Sequence, residues 1–265
     1  MKEFLNIAVN EDIPFEVKKG IAVVSAKDSN QGREYAKTIL YRICDGDTLL
    51  FLSGGSTPKS LYQEFAKDER LTIGAAALVD ERFVKWGDSL SNEEMIRQTG
   101  LLGYFADQGI PFHGILNRGS SVQSLGAKDR GQTALDYEQL LKELLAKFKQ
   151  KVAIQGIGPD GHTAGIAPNR KDFTDPVFEK GQQALLVSGF EDPKSMTEGG
   201  FGERITMTFK ALGEMDVIII LAFGENKADA LKAMFEKVDL ENTPASFYIL
   251  PEISQKTLLI TDQKI

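Results

Sequence analysis

The sequence predicts an α/β protein: a doubly wound, mostly parallel sheet with helices on both faces, Rossmann-like in layout. Three observations carry this expectation. Short continuous apolar runs at residues 48–52, 75–79, 152–154 and 216–223 have the length and composition of strands buried on both faces. Between them lie longer segments whose apolar residues recur at helical spacing. Each run stops at glycine, serine, aspartate or proline, and strands alternating with turns and helices in this way form parallel sheets.

The first expected strand covers 21–26. Asp28 and Ser29 then offer N-caps to a helix with Tyr35, Ala36, Ile39, Leu40 and Ile43 on one face, ended by Asp45-Gly46. The run at 48–52 leads straight into Ser53-Gly54-Gly55-Ser56-Thr57-Pro58, and Leu61, Tyr62, Phe65 and Ala66 mark the helix that follows. Thr57 is its expected N-cap and Pro58 its first residue. The unit repeats at 75–79, with Asp80-Glu81-Arg82 at the strand's end and Ser91-Asn92-Glu93-Glu94 opening a helix through Leu102. His113 falls in a short Pro111-Phe112-His113-Gly114 turn, and a helix over 134–149 leads to the central strand at 152–154.

Farther on, 183–189 reads as a strand, 195–202 as a flexible glycine-bearing loop and 204–209 as an extended segment. The run at 216–223 passes through Gly224-Glu225-Asn226-Lys227 into a helix reaching Val238, and 258–261 is the last strand. No linker, repeat or low-complexity stretch divides the chain, so residues 1–265 are expected to form one domain.

Composition narrows the function. With 42% hydrophobic and 26% charged residues the chain has an ordinary globular make-up, and its net charge of −7 argues against a nucleic-acid or membrane-surface binder. Cys44 is the only cysteine and the two histidines lie far apart, so neither a disulfide nor a metal site is expected. The N-terminal residues lack the apolar core of a signal peptide and no later run is long enough to span a membrane, so the expected location is cytoplasmic.

The stretch most suited to chemistry follows the central strand: Gly156-Ile157-Gly158-Pro159-Asp160-Gly161-His162-Thr163-Ala164. Its glycines let a ligand approach the backbone, and a histidine two residues from an aspartate is a candidate base with an orienting partner. The G-x-G-x-x-G spacing also matches a dinucleotide fingerprint, but Pro168 and Pro176 interrupt the helix that fingerprint requires, so no nicotinamide cofactor is expected. The small residues Ser53, Gly54, Gly55, Ser56 and Thr57 form a strand-to-helix turn suited to a phosphate, without the Gly-Lys-Ser/Thr ending of a P-loop. Arg204 and Lys227 are the expected counter-charges. Asp80 and Arg82, at another strand end, would face the same cleft.

These motifs, in this order and spacing, resemble the 6-phosphogluconolactonase family: Ser53 to Pro58, Asp80-Glu81-Arg82, Ser91-Asn92, the block from Gly156 to Ala164, Arg204-Ile205-Thr206, and Gly224-x-x-Lys227-Ala228. The resemblance runs from about Ile21 into the C-terminal region. It implies a fold shared with glucosamine-6-phosphate deaminases, no cofactor, a small sugar phosphate as ligand, and a monomer or small homo-oligomer. It further implies lactone hydrolysis, with His162 as general base, Asp160 holding the loop or the imidazole tautomer, and Arg82 steering the anion or meeting the developing oxyanion. Asp80 would orient Arg82 or sugar hydroxyls, and the phosphate would rest on the glycine-rich turn, Arg204 and Lys227.

Arg82 stands where deaminases usually carry an aromatic residue, and Ala167 replaces the glutamate of their histidine relay. Gly165-Ile166-Ala167-Pro168 departs from the Ser-Leu-Phe-Pro usual in lactonases, leaving a smaller wall beside His162. Residues 198–203, ahead of Arg204, are glycine-rich and expected to be mobile. Two other readings are a deaminase or isomerase using Asp80 as base and a non-catalytic sugar-phosphate sensor. The chain has no recognisable helix-turn-helix before Ile21, and a sensor would not need the Asp160 and His162 pair.

Overall fold

The computed structural model describes residues 3–116, 129–174, 185–191 and 202–265. Strands β2 (Ile21–Ser25), β3 (Thr48–Leu52), β4 (Ala75–Leu78), β6 (Phe112–His113), β7 (Gln150–Gly156), β10 (Val217–Ala222) and β11 (Thr257–Thr261) lie in one sheet with β1 (Phe15–Lys18). The strand order is β1-β2-β11-β10-β7-β3-β4-β6. The β1–β2 pairing is antiparallel, and the others described in this sheet are parallel. Every residue of β3, β4, β10 and β11 is buried, so the central strands are covered on both faces.

The topology fixes where a ligand can sit. From β3 the chain steps outward through β4 to β6, then returns to β7 beside β3 and steps the other way through β10 to β11. The direction reverses between β3 and β7, and the crevice beyond the carboxyl ends of such a pair is where open α/β sheets bind ligands.

A second, antiparallel sheet has the order β5-β9-β8, from β5 (Asp80–Arg82), β9 (Glu203–Met207) and β8 (Val187–Glu191). Val79 joins the two sheets: its N–H donates to Leu52 O at 3.0 Å and its carbonyl accepts from Met207 N at 2.9 Å. Side chains alternate along β5, so Asp80 and Arg82 face one way and Glu81 the other. Asp80-Glu81-Arg82 is therefore a paired strand as well as a strand-end turn.

Several boundaries differ from expectation. Helix α1 (Glu3–Asn10) and β1 precede the first expected strand; α1 buries Phe4 and Ala8 one turn apart. After α2 (Ser29–Ile43), capped by Asp28, α3 (Ser56–Asp68) starts earlier than read. Its N-cap is Gly55, at φ +103, rather than Thr57, and Pro58 is its third residue. The helix expected from Ser91 through Leu102 is two, α4 (Asn92–Gln98) and α5 (Leu101–Asp107), because Gly100 turns the chain at φ +87.

His113 lies in β6, paired with Ala77, instead of in a turn. Helix α6 (Arg130–Lys147) begins earlier than expected because Asp129 caps it. The segment at 204–209 divides into β9 and α7 (Phe209–Gly213), whose N-cap is Thr208. Helix α8 (Ala228–Glu236) follows a 3-10 turn holding Lys227, and α9 (Pro251–Ser254) precedes β11. The expected loop at 195–202, except Gly202, the glycine-rich residues 198–201 and the start of the strand at 183–189 lie outside the described residues. No helix among the described residues is long and apolar enough to cross a membrane.

Candidate active site

A cleft of about 280 Å³ opens at the β3–β7 reversal and is lined from several segments of the chain. Ser53, Gly54, Gly55, Ser56 and Thr57 come from the β3–α3 turn, and Asp80 and Arg82 from β5. Gly158 and His162 come from the loop after β7, with Arg204 from β9 and Lys227 from the turn after β10. Of the eleven expected site residues, only Asp160 is not among those lining the cleft; it stands behind His162.

The histidine loop is held by its own backbone. Gly161, at φ +84, turns the chain so that Gly158 N donates to His162 O at 2.9 Å, and Ala245 N donates to Gly161 O at 3.0 Å. No helix opens at Gly161, so the G-x-G-x-x-G spacing lacks the helix N-terminus that the dinucleotide fingerprint requires. Asp160 Oδ1 lies 2.6 Å from His162 Nδ1 and accepts from His162 N at 3.1 Å, so one carboxylate fixes both the loop and the ring. Hydrogen bonding to His162 holds the Asp160 carboxyl down at about 2, against the opposing effect of partial burial. As an ionised acceptor at Nδ1, it favours the tautomer that leaves Nε2 unprotonated. Gly158 is required by contact: a Cβ there would lie 2.0 Å from His162 Nδ1.

The other wall gathers positive charge. Arg82 Nη1 donates to Asn92 Oδ1 at 2.8 Å and Leu90 O at 3.0 Å. Burial and the nearby Arg204 guanidinium pull Arg82 below its ordinary value, and burial does the same to Lys227 although Asp160 opposes it. Partly desolvated cations that repel one another make a site for an anion. With Gly55 as N-cap, no side chain caps the first turn of α3, and its N–H groups add to that field. Ser53 Oγ is buried in the same turn and has no hydrogen-bond partner among the described residues.

Asp80 approaches Arg204 rather than Arg82, with Oδ2 at 3.7 Å from Arg204 Nη1. Gly165, at φ +69, lies over this pair; a Cβ would be 2.9 Å from Asp80 Oδ2. Ala167, where a deaminase would carry its glutamate, is buried and outside the cleft lining.

Two contributors were given no site role from sequence, although Asn92 belongs to the Ser91-Asn92 motif. Asn92 joins Asp80 to Arg82. Tyr248 supports the loop from below, its hydroxyl 2.7 Å from that of Thr163, which donates to Gly156 O at 3.1 Å.

Comparison with known proteins agrees with this architecture. The chain is 26% identical over 217 residues to a 6-phosphogluconolactonase of Rhizobium meliloti, covering 79% of this chain and 82% of that one. It is 25% identical over 225 residues to a glucosamine-6-phosphate deaminase of Streptococcus pyogenes, covering 84% and 90% respectively. The solved 6-phosphogluconolactonase of Plasmodium vivax superposes with a TM-score of 0.70 over 100% of this chain and 97% of that one, at 18% identity, a likeness of fold. The model of the family described as glucosamine-6-phosphate isomerases/6-phosphogluconolactonase matches residues 31–258, and the chain belongs to that family.

Proposed function

We propose that this protein hydrolyses 6-phospho-D-glucono-1,5-lactone to 6-phosphogluconate. The observation that carries this reading is the shared cleft, which holds one imidazole oriented by a carboxylate and a separate group of cations. Nε2 of His162 takes a proton from water as the water oxygen attacks C1, a transfer typically worth ~10²–10⁴-fold. The tetrahedral oxyanion is stabilised by Arg82. As the C1–O5 bond breaks, the imidazolium returns its proton to O5, leaving a hydroxyl and a carboxylic acid that ionises.

The substrate phosphate rests against the first turn of α3, Ser53, Arg204 and Lys227. Binding it at a distance from C1 aligns the lactone with the base and so contributes to rate as well as affinity. Asp80 keeps Arg204 in place and accepts from sugar hydroxyls.

Deamination of an amino-sugar phosphate is the competing reaction within the family. It is disfavoured by Ala167, which supplies no carboxylate to a relay through His162. The deciding experiment measures proton release from freshly made 6-phosphogluconolactone, corrected for spontaneous hydrolysis, alongside ammonia release from glucosamine 6-phosphate. Proton release without ammonia is expected, and ammonia release would reverse the assignment. His162→Ala should abolish most of kcat, whereas Arg204→Ala should chiefly raise KM for the phosphorylated lactone and spare unphosphorylated gluconolactone.

A further inference from the structure

We propose that Asn92 is a positioning residue that sets the placement of Arg82 relative to the Asp80 and Arg204 pair; the kinetic consequences rest on the lactonase reading above. Asn92 is the first residue of α4 and is 2% exposed. Its amide has partners of opposite kind on its two sides. Oδ1 accepts from Arg82 Nη1 at 2.8 Å, while Nδ2 donates to Asp80 O at 2.8 Å and Asp80 Oδ2 at 3.2 Å. Only one orientation of the amide satisfies a guanidinium on one side and two oxygens on the other.

Two further contacts hold Asn92 where it is. Glu81, on the opposite face of β5, accepts from Asn92 N at 2.6 Å, Glu93 N at 2.9 Å and Ser91 Oγ at 2.8 Å, which fastens the start of α4 to the strand. On the cleft side a Cβ on Gly54 would lie 2.0 Å from Asn92 Oδ1, so the amide occupies the space of a side chain at that position. Asn92 thereby ties together the phosphate turn, the arginine and the carboxylate. The charged groups around it are Asp80, Glu81 and Arg82 on β5, Arg204 across the ladder on β9, and Glu93 next in α4.

Two variants of the full-length chain test this. Asn92→Ala removes the amide that joins Arg82 to Asp80, leaving Arg82 its bond to Leu90 O and Asp80 its contact with Arg204, and the expected loss in kcat/KM for the lactone is ~10²-fold, the scale of an ångström of misplacement. Asn92→Asp keeps the acceptor for Arg82 but sets a second carboxyl beside Asp80. At that distance the two cannot both ionise easily, so they share a proton that restores the lost donor. Its kcat/KM should therefore gain a new limb, falling as pH rises and the shared proton leaves, whereas a change in fold stability alone would not reshape the profile.

The Arg82 side-chain Nε–H signal, followed by NMR, should be equally ordered in wild type and Asn92→Asp and measurably more mobile in Asn92→Ala, where only the bond to Leu90 O remains. An unchanged Arg82 signal in Asn92→Ala would overturn the proposal, as would unaltered kcat/KM profiles in both variants of an active enzyme. If wild type lacks lactonase activity, that function fails separately and the NMR comparison still decides the positioning role.

Discussion

The hydroxyls of Thr163 and Tyr248 meet at 2.7 Å beneath the loop that carries His162, both buried in the core. Burial raises the Tyr248 phenol above its ordinary value, so the group is protonated at neutral pH. Tyr248→Phe removes this support while Thr163 keeps its bond to Gly156 O. The expected cost is about 1 kcal/mol in urea unfolding. A fall in kcat should exceed any change in KM, because the imidazole loses its support while Arg204 and Lys227 keep theirs.

Gly158→Ala tests the packing of the imidazole. Gly158 does not adopt the left-handed backbone that would penalise alanine, so its effect comes from the side-chain contact with His162. Displacing the ring should lower kcat by ~10²-fold with little change in KM. Thermal unfolding should remain close to wild type.

Asp160→Asn separates the carboxylate's charge from its shape. The folded-state value, about 2, lies below the unfolded one, so the native state binds fewer protons in that interval. Its contribution to stability is present above roughly pH 4 and is lost as pH falls through the folded-state value. The stability difference between wild type and Asp160→Asn, measured by denaturant unfolding at several pH values, should shrink toward zero at the acid end. Because the pair is half exposed, solvent screening keeps this difference small. The fall in kcat should be less than the ~10⁴-fold found when a buried orienting aspartate is amidated.

Glu81 predicts the opposite pH dependence. Burial pushes its carboxyl up to about 7, against the lowering effect of the donors from Glu93, Asn92, Ser91 and Arg82. A raised folded-state value means that stability is greatest below the unfolded value and falls as pH rises toward 7. Glu81→Gln should abolish this slope. It should also cost about 1–3 kcal/mol, since an amide NH₂ turned toward the α4 N-terminus leaves buried donors unmatched. Unfolding curves at acid and alkaline pH measure both effects.

The sequence made the inner strands of the large sheet legible because they are apolar runs, whereas the edge strands β1 and β6 are short and mixed and were missed; Ser91 was legible as a cap because Glu94 follows three residues later. Of the small sheet, β8 and β9 were read in part, at 183–189 and 204–209, but β5 and its pairing were not. Three charged residues, Asp80 to Arg82, give no strand periodicity, and their partner β9 lies more than a hundred residues away. The early start of α3 was missed because Thr57-Pro58 is a strong capping pair, but the chain turns at Gly55 instead. The residues that gather at the cleft could be listed from their motifs, whereas Asn92's part depends on its fit against Gly54, a tertiary contact with no local signature.

The alternation along β5 has an evolutionary consequence. A single codon gained or lost between Val79 and Asp80 would turn the strand over, presenting Glu81 to the cleft and moving both cleft-facing neighbours toward α4. The β4–β5 junction should therefore tolerate substitutions far better than changes in length.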